Sequence, residues 1–409
     1  MDSAKKYEEW KQRISDNVRG RIDLSREVPD AEIQEMIDAL IVGLGRSCGL
    51  SLVQRQKLGK SVFHSIRKMD VIQELIDSND VTEIMINGTE HIFIERGGRL
   101  QELDQGFDSP EKLQDVIQQI VAGCNRVVNE ASPIVDARLA DGSRVNVVMN
   151  PVALNGPIVT IRRFPARPVT MDWLVRNHSL SEQAALFLEN LVRAGYNIFI
   201  SGGTGSGKTT FLNALSQFIP AEERVITIED SAELQLQGLP NLVRLETRNG
   251  NMEGCREIGI RELIRSSLRM RPDRIIVGEV RGPEAVDMLQ CLNTGHDGSM
   301  STGHANSGKD MLARLESMVL MGLELPLAAI RQQIASGIDV IVHLGRLRDR
   351  SRRVLEIAEI LGLEGNEIRL NTLFEFEEAG EDDEGRIIGE FHKRGTLQKE
   401  NKLRAAGLP

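Results

Sequence analysis

The sequence NIFISGGTGSGKTTF occupies residues 197–211 and combines three features in a fixed order. An apolar run typical of a buried strand ends at Ser201, a glycine-rich stretch follows, and a helical pattern begins at Lys208. This order matches the P-loop pattern G-x-x-x-x-G-K-[ST] in the structural context that the pattern requires. Residues 202–209 therefore predict a phosphate-binding loop between a strand and a helix.

The residue types in this loop are those that bind nucleotide phosphates. Glycines allow successive backbone N–H groups to point at a phosphate beside a helix N-terminus. Lys208 supplies a positive charge for the terminal phosphates, and the hydroxyl of Thr209 is a ligand for Mg²⁺. We therefore predict that ATP and Mg²⁺ bind here. The predicted nucleotide-binding residues of the loop are Gly202, Gly203, Thr204, Gly205, Ser206, Gly207, Lys208, Thr209 and Thr210.

Strand-like and helix-like stretches alternate over residues 182–409, which form the predicted nucleotide-binding domain. Strands are predicted at NIFIS, VITIED, RIIVGEV and SMSTGHA, and helices over 208–218, 258–270 and 283–292. This alternation predicts an α/β domain with a parallel sheet and helices on both faces. From Asp339 onward we expect only short β-rich pieces and a polar, acidic tail.

Acidic residues and histidines follow the later strands of this domain. Glu229 and Glu279 end two predicted strands, at the edge where open α/β sheets bind ligands. The segment GHDGSMSTGHAN, residues 295–306, places His296 and His304 in a loop of small residues. A histidine there suits a sensor of the γ-phosphate, His304 more than His296. A metal site is disfavoured because no third ligand is spaced with the two histidines.

The chain before this domain falls into three segments. Residues 1–70 contain three helical patterns and are interpreted as a helical lead-in, either a bundle without chemistry or a docking module. Residues 71–163 carry β-forming runs, glycine turns and one amphipathic helix, and they predict an α+β N-terminal domain. Residues 164–181, which contain Pro165 and Pro168, are interpreted as a linker.

The composition limits the classes of function. A net charge of -10 and a pI of about 5.4 argue against a protein that mainly wraps nucleic acid. Only 4% of residues are aromatic, which leaves little material for base stacking. The first residues lack the apolar region of a signal peptide, and no stretch approaches the ~18 apolar residues of a membrane span, so a cytoplasmic location is expected. The scattered cysteines at positions 48, 124, 255 and 291 indicate neither a zinc site nor a disulfide framework.

The motifs of the predicted nucleotide-binding domain, taken in order, resemble those of the type II/type IV secretion ATPases. Members of that family share a P-loop, an aspartate box, a Walker B glutamate and a histidine box. The matching segments here are residues 202–209, 226–230 with Glu233, 275–279 and 295–306. Upstream, the segments Val81–Asn87 and Ser132–Arg138 resemble the N-terminal domain of the same family.

Within the family, the resemblance is closest to the Tad (Flp) pilus assembly ATPases, on Arg271–Arg274 and the GEVRGPEA segment that follows. It implies a RecA-like P-loop domain, a PAS-like N-terminal domain and a homo-hexamer. It further implies that ATP lies between the two domains, whose opening and closing moves an inner-membrane platform protein of a pilus or secretion machine. The chain would then be peripheral at the cytoplasmic face of the membrane, attached through that partner.

The resemblance also implies roles for single residues. We assign Glu229 to water activation and Glu279, with Thr209, to the Mg²⁺ shell, although the two glutamates could exchange roles. His304 is assigned to the catalytic set. Gly278 stands where an aspartate might be sought before Glu279, and a glycine there agrees with the family pattern.

Four arginines of the N-terminal domain complete the predicted site. Arg138 and Arg144 flank a predicted turn, and Arg162 and Arg163 end the domain. An arginine at the terminal phosphates accelerates phosphoryl transfer by several decades. We therefore predict catalytic roles for Arg138 and Arg144 and nucleotide binding for Arg162 and Arg163.

Two other functions use the same P-loop. A nucleic-acid translocase would be stimulated by DNA, and the acidic composition weighs against it. A small-molecule kinase lacks an evident acceptor site and leaves the arginines of the N-terminal domain unexplained. No nucleic-acid partner is expected.

Overall fold

The computed structural model describes residues 2–22, 26, 28–44, 49–124, 126–139, 141–164, 168–248 and 256–409, without the side chains of residues 2–5. The chain divides into two compact units, Met1–Ala166 and Arg167–Pro409. Cys48 and Cys255 lie outside the described residues, whereas Cys124 and Cys291 are free thiols.

Three helices at the start of the first unit pack around a core of their own. They are α1 (Asp2–Arg19), α2 (Asp30–Gly43) and α3 (Leu52–Arg67), where the apolar spacing predicts helices. At the start of α3, the Ser51 hydroxyl accepts a hydrogen bond from the Gln54 backbone, and the Gln54 side chain accepts one from the Ser51 backbone. The buried side chains of this core include Ile33, Ile37, Leu58 and Val62.

The rest of the first unit is an antiparallel sheet covered by one helix. Its elements are a short 3₁₀ turn (Asp70–Ile72), α4 (Gln73–Asp77), β1 (Val81–Asn87), β2 (His91–Arg96), β3 (Arg99–Glu102), α5 (Pro110–Gly123), β4 (Ile134–Arg138), β5 (Arg144–Val148) and β6 (Ile158–Arg162). The strand order is β3-β2-β1-β6-β5-β4. Apolar residues of α5 pack on alternate residues of the strands, as the amphipathic pattern predicts. A kinship with PAS domains stays a prediction.

The second unit is an α/β domain built on a nine-stranded sheet. Its elements are α6 (Met171–Arg176), α7 (Glu182–Arg193), β7 (Ile198–Gly202), α8 (Lys208–Ser216), β8 (Val225–Glu229), β9 (Leu242–Glu246), α9 (Ile260–Ser267), β10 (Arg274–Val277), α10 (Ala285–Leu292), β11 (Met300–Gly303), α11 (Gly308–Gly322), α12 (Leu327–Gly337), β12 (Val340–Arg346), β13 (Arg352–Glu364), β14 (Glu367–Glu381), β15 (Ile387–Lys393) and α13 (Asn401–Ala405). The order is β15-β14-β13-β12-β7-β11-β10-β8-β9, and the six strands from β12 to β9 are parallel.

Helices cover both faces of this sheet, as predicted. Ile198 and Ile200 of β7 lie in one core with residues of α7 and α8, whereas Phe199 lies in the other core with residues of α9 to α12. Successive residues of a strand point to opposite faces of the sheet, so a continuous apolar strand contributes side chains to both cores. This burial places the end of β7, and the loop after it, at a fixed edge of the sheet.

The prediction of short β-rich pieces and an acidic tail after Asp339 is wrong. The strands β13, β14 and β15 are 13, 15 and 7 residues long and extend the sheet as an antiparallel meander. Some acidic residues of these strands are exposed; Glu375, for example, pairs with Arg394 at 3.1 Å while Leu373 and Phe374 are buried. Others are buried, since the Glu359 carboxylate accepts hydrogen bonds from the backbone N–H groups of Gln398 and Lys399. Acidic residues at both kinds of position leave no simple alternation in the sequence.

The stretch predicted as a linker contains structure. Residues 165–167, including Pro165, lie outside the described residues. After them, Thr170 caps α6, and Met171 and Leu174 of that helix are buried in a core of the second unit. In the described part of the chain, no helix has both the length and the hydropathy needed to cross a membrane.

Candidate active site

The glycine-rich loop between β7 and α8 has the backbone of a phosphate cradle. Gly205 and Gly207 have φ angles of 71° and 93°, in the left-handed region that glycine adopts without strain. Gly207 is the residue just before α8, so the loop leads directly into a helix N-terminus. A Cβ on Gly202 would lie 2.5 Å from the Leu344 carbonyl oxygen, so only glycine allows β12 to approach this closely.

Lys208 is held over this loop. Its side chain is buried, and Nζ donates hydrogen bonds to the carbonyl oxygens of Gly202 and Gly203, both at 3.0 Å. The same Nζ lies 3.2 Å from Nδ1 of His304. The ammonium group is thereby fixed at the mouth of the loop, where the terminal phosphates of a bound nucleotide would meet it.

His304 connects Lys208 to the Walker B glutamate. It follows β11, which lies between β7 and β10 in the sheet. Its Nε2 atom lies 2.7 Å from Oε1 of Glu279. Burial lowers the pKa of His304 and the Lys208 charge acts in the same direction, although Glu279 opposes them. A neutral imidazole can accept a hydrogen bond from Lys208 through Nδ1. Its Nε2 is in close contact with Oε1 of Glu279, although that oxygen has no hydrogen-bond partner among the described residues.

The other carboxylate oxygen of Glu279 is paired with an arginine. Arg281 donates a hydrogen bond of 2.6 Å from Nη2 to Oε2 of Glu279, and its Nη1 lies 3.7 Å from Oδ2 of Asp230. The hydrogen bond to Glu279 raises the pKa of Arg281. Positive and negative groups therefore alternate across the strand ends, in the order Lys208, Glu279, Arg281 and Asp230, with the imidazole of His304 between the first two.

Glu229 ends β8 and has a different environment. Its Oε2 accepts hydrogen bonds from the backbone N–H groups of Glu233 and Leu234, at 2.7 and 2.9 Å. Burial raises the pKa of Glu229 to about 7, although the two N–H groups act in the opposite direction. Its Oε1 is buried and has no hydrogen-bond partner among the residues that the structure describes. A carboxyl group in this state is suited to exchange a proton near neutral pH.

The position before Glu279 has no room for a side chain, and Gly278 occupies it. A Cβ on Gly278 would lie 2.9 Å from Cγ of Glu229, closer than ordinary Cβ contacts. The Glu229 side chain thus packs directly on the Gly278 backbone, and an aspartate at position 278 would displace it. The sequence places glycine here but gives no sign of this contact, because the two residues are distant in the chain.

Several other predicted site residues have contacts of a different kind. Nδ1 of His296 lies 3.2 Å from the carbonyl oxygen of Cys291, near the end of α10, and 3.3 Å from the Thr294 hydroxyl, so both contacts are local in the chain. Ser206 is buried, and its hydroxyl has no hydrogen-bond partner among the described residues. Thr209 and Thr210 are partly exposed in the first turn of α8.

Three of the four predicted arginines form one row on the sheet of the first unit. Arg144 of β5 stands opposite Arg138 of β4 on one side and opposite Arg162 of β6 on the other. Directly opposite residues share a face of the sheet. Arg163 differs, because its Nη1 donates to backbone carbonyl groups of the same unit, including that of Val81 at 2.9 Å. These bonds give Arg163 a structural role.

One buried histidine was not singled out from the sequence. His343 of β12 has its Nδ1 atom 2.8 Å from the Ser201 hydroxyl, next to the start of the loop. Burial lowers its pKa. In the sequence, the only indication of this contact is a histidine inside the apolar run VIVHLGR. A histidine in such a run is more often a core residue whose hydrogen bonds are satisfied.

The fold and the loop geometry define the second unit as a P-loop nucleotide-binding domain. Among the residues that the structure describes, no group of three or more His, Cys, Asp or Glu side chains is arranged to hold a metal ion. Mg²⁺ that binds with a nucleotide is usually held by few side chains together with phosphates and water.

Comparisons with known proteins agree with this class. Residues 66–382 match the family described as type II/IV secretion system protein. A Mycobacterium tuberculosis protein, named provisionally for conjugal transfer, is 35% identical over 303 residues, which are 72% of this chain and 85% of that protein. The type IV secretion system protein PtlH of Bordetella pertussis is 32% identical over 315 residues, 71% of this chain and 93% of PtlH. The chain belongs to the type II/IV secretion system protein family.

Solved structures extend the likeness to the fold. The ATPase DotB of Yersinia pseudotuberculosis superposes with a TM-score of 0.55 at 16% identity, covering 72% of this chain and 79% of DotB. At this identity the likeness concerns the fold alone. The P-loop ATPase fold predicted from the sequence is confirmed.

Proposed function

We propose that this chain hydrolyses Mg-ATP and works as a homo-hexameric motor for assembly of a Tad or type IV-like pilus, or for protein secretion across the inner membrane. The observation that carries the proposal is the contact of His304 with both Lys208 and Glu279, at 3.2 and 2.7 Å. It brings the P-loop, the histidine box and the Walker B segment into one site. Membership of the secretion family supports the mechanical use of the hydrolysis.

The nucleotide is proposed to bind along residues 202–210, with Lys208 at the terminal phosphates. The residues present fit Mg²⁺, because a hydroxyl at Thr209 and a carboxylate at Glu279 are oxygen ligands. The bound ion would neutralise charge on the phosphate oxygens. Glu229, with a pKa of about 7 and an unpaired buried oxygen among the described residues, is proposed to take the proton of the attacking water.

The row formed by Arg138, Arg144 and Arg162 is proposed to add positive charge at the terminal phosphates during turnover. Arginines in this role stabilise the charge of the transition state. Arg163 is left out of this set because it donates to backbone carbonyl groups.

The proposed partner is a polytopic platform protein of the inner membrane, and the motor would lie at the cytoplasmic face. The name of PtlH places that relative in a type IV secretion system, and the Arg271–Arg274 segment with GEVRGPEA favours the Tad branch for this chain.

One experiment compares the two motors that share this core. ATP turnover of the full-length protein is measured alone, with DNA, and with a detergent-solubilised platform protein of the pilus or secretion machine, while the mass of the assembly is recorded. We expect a sixfold assembly, stimulation by the platform protein and no response to DNA. Stimulation by DNA together with no response to the platform protein would replace this proposal with a nucleic-acid translocase.

A further inference from the structure

The turn between β12 and β13 lies beside the P-loop. β12 runs parallel to β7 with Leu344 opposite Gly202, so both strands end at the same edge of the sheet. β13 then returns antiparallel to β12 and begins at Arg352. The first residue of β13 therefore lies next to the loop that follows β7, although Arg352 and Gly205 are 147 positions apart in the chain.

Arg352 lies beside two glycines of the P-loop. Its Nε atom donates a hydrogen bond of 3.0 Å to the carbonyl oxygen of Gly205. A Cβ added to Gly207 would lie 3.4 Å from Cδ of Arg352. The aliphatic part of the arginine thus lies next to Gly207 while its guanidinium group binds Gly205.

The hydrogen bond fixes the direction of one peptide group in the loop. In a planar trans peptide the C=O and N–H bonds point in opposite directions. Holding the Gly205 carbonyl toward Arg352 therefore aims the Ser206 N–H away from Arg352. This N–H makes a contact of 3.3 Å with the Gly203 carbonyl oxygen, longer than the usual ~2.9–3.0 Å, so a phosphate oxygen would be a better acceptor.

We infer that Arg352 is a positioning residue for phosphate binding, which orients the Gly205–Ser206 peptide so that its N–H group donates to a nucleoside di- or triphosphate. A cation on the carbonyl also polarises the peptide and strengthens its N–H as a donor. The inference rests on the proposed use of this loop as the nucleotide site. The residue that orients this peptide comes from β13, and none of the sequence motifs described above includes Arg352.

The test uses two variants that keep the aliphatic contact with Gly207. Arg352→Met removes the donor and the charge, and Arg352→Lys keeps a charged donor. Arg348→Met is the matched control, because Arg348 lies in the same turn but donates to Glu381 at 2.6 Å. For each full-length protein, the dissociation constant of ATP, the KM and kcat of hydrolysis and the melting temperature without nucleotide are measured.

Arg352→Met is expected to raise the dissociation constant and KM of ATP about tenfold, the scale of one charge-assisted hydrogen bond. kcat should change little, because the contact acts equally on bound substrate and transition state. Arg352→Lys should recover most of the affinity, and Arg348→Met should behave as wild type. The inference is overturned by unchanged affinity in Arg352→Met, by a lysine variant no better than methionine, or by an equal loss in the control. If the wild-type protein binds no ATP, the proposed function falls first and this inference with it.

Discussion

The Nε2 atom of His304 lies 2.7 Å from Oε1 of Glu279. Glu279 follows β10 and His304 follows β11, and these two strands are neighbours in the sheet. β11, which leads to His304, stands between β7 and β10, and neighbouring strands lie ~4.8 Å apart. A side chain at the end of β11 is therefore one strand away from both the P-loop and Glu279. A change at the nucleotide phosphates can reach the Walker B carboxylate through one imidazole ring.

We expect His304→Ala to lower kcat for ATP by about 10²-fold, the scale of a lost acid–base or positioning contact. The dissociation constant of ATP should change less, because Lys208 keeps its bonds to the loop carbonyl groups. His296→Ala is the matched control, and turnover near the wild-type rate is expected for it, since the His296 ring contacts Cys291 and Thr294, which are close to it in the chain. Equal losses in the two variants would contradict a special role for His304.

Glu229 should make the stability of the protein depend on pH. Burial raises its pKa from 4.5 to about 7, so between these values the folded protein holds a proton that the unfolded chain has lost. The contribution of Glu229 to the free energy of unfolding is therefore greatest below pH ~4.5 and declines as the pH rises through ~7. Glu229→Gln has no charge to bury, and at pH 8 it should be more stable than wild type by up to ~3 kcal/mol.

Melting temperatures at pH 5 and pH 8, measured without nucleotide, check this sign. Glu229→Gln should melt several degrees above wild type at pH 8 and closer to it at pH 5. Glu222→Gln, at an exposed position of the same unit, is the control and should not change the difference between the two pH values. A lower melting temperature for Glu229→Gln at pH 8 would show that the buried carboxylate is stabilising.

Gly278→Ala should impair turnover by displacing Glu229. The added Cβ would lie 2.9 Å from Cγ of Glu229, and overpacking of this kind costs about 1–3 kcal/mol. We expect a fall in kcat of at least ~10-fold with a lower melting temperature. Gly123→Ala, where an added Cβ meets nothing within 4 Å, is the control. Wild-type turnover in Gly278→Ala would mean that Glu229 can move without loss.

The arginine row of the first unit should act on turnover more than on folding. Arg144→Ala removes the central member, which stands opposite Arg138 and Arg162, and is expected to lower kcat by about 10³-fold. Arg99→Ala, at an exposed position on the edge strand β3, is the control. Turnover is compared at matched protein concentration with the assembly state recorded. A variant that assembles as wild type and turns over equally fast would leave the first unit without a part in catalysis.

The sequence predicted the local parts of this site well. A strand, a glycine loop and a helix are set by neighbouring residues, so the P-loop and its lysine follow from fifteen consecutive residues. The alternation of strands and helices likewise predicted the α/β class and the two helical faces. Arg138 and Arg144 were expected on either side of one turn, and the register places them directly opposite each other.

The non-local parts could not be predicted from the sequence. The position of β11 between β7 and β10 depends on strand order, which sequence order does not contain, so the contact of His304 with Glu279 was not foreseen. The same holds for the packing of Glu229 on Gly278. The long strands β13 and β14 were missed because their acidic residues lie at both buried and exposed positions, Glu359 and Glu375 for example, so the sequence does not alternate.

The most direct measurement is ATP hydrolysis by the full-length protein and by Lys208→Ala, with Lys309→Ala, at an exposed position of α11, as the control. The ammonium group of Lys208 contacts both the loop carbonyl groups and His304. The account predicts Mg-dependent hydrolysis by the wild type and the control, and a loss of at least ~10²-fold in Lys208→Ala with an unchanged circular dichroism spectrum. Hydrolysis by Lys208→Ala at the wild-type rate would contradict the assignment of the P-loop as the site of catalysis.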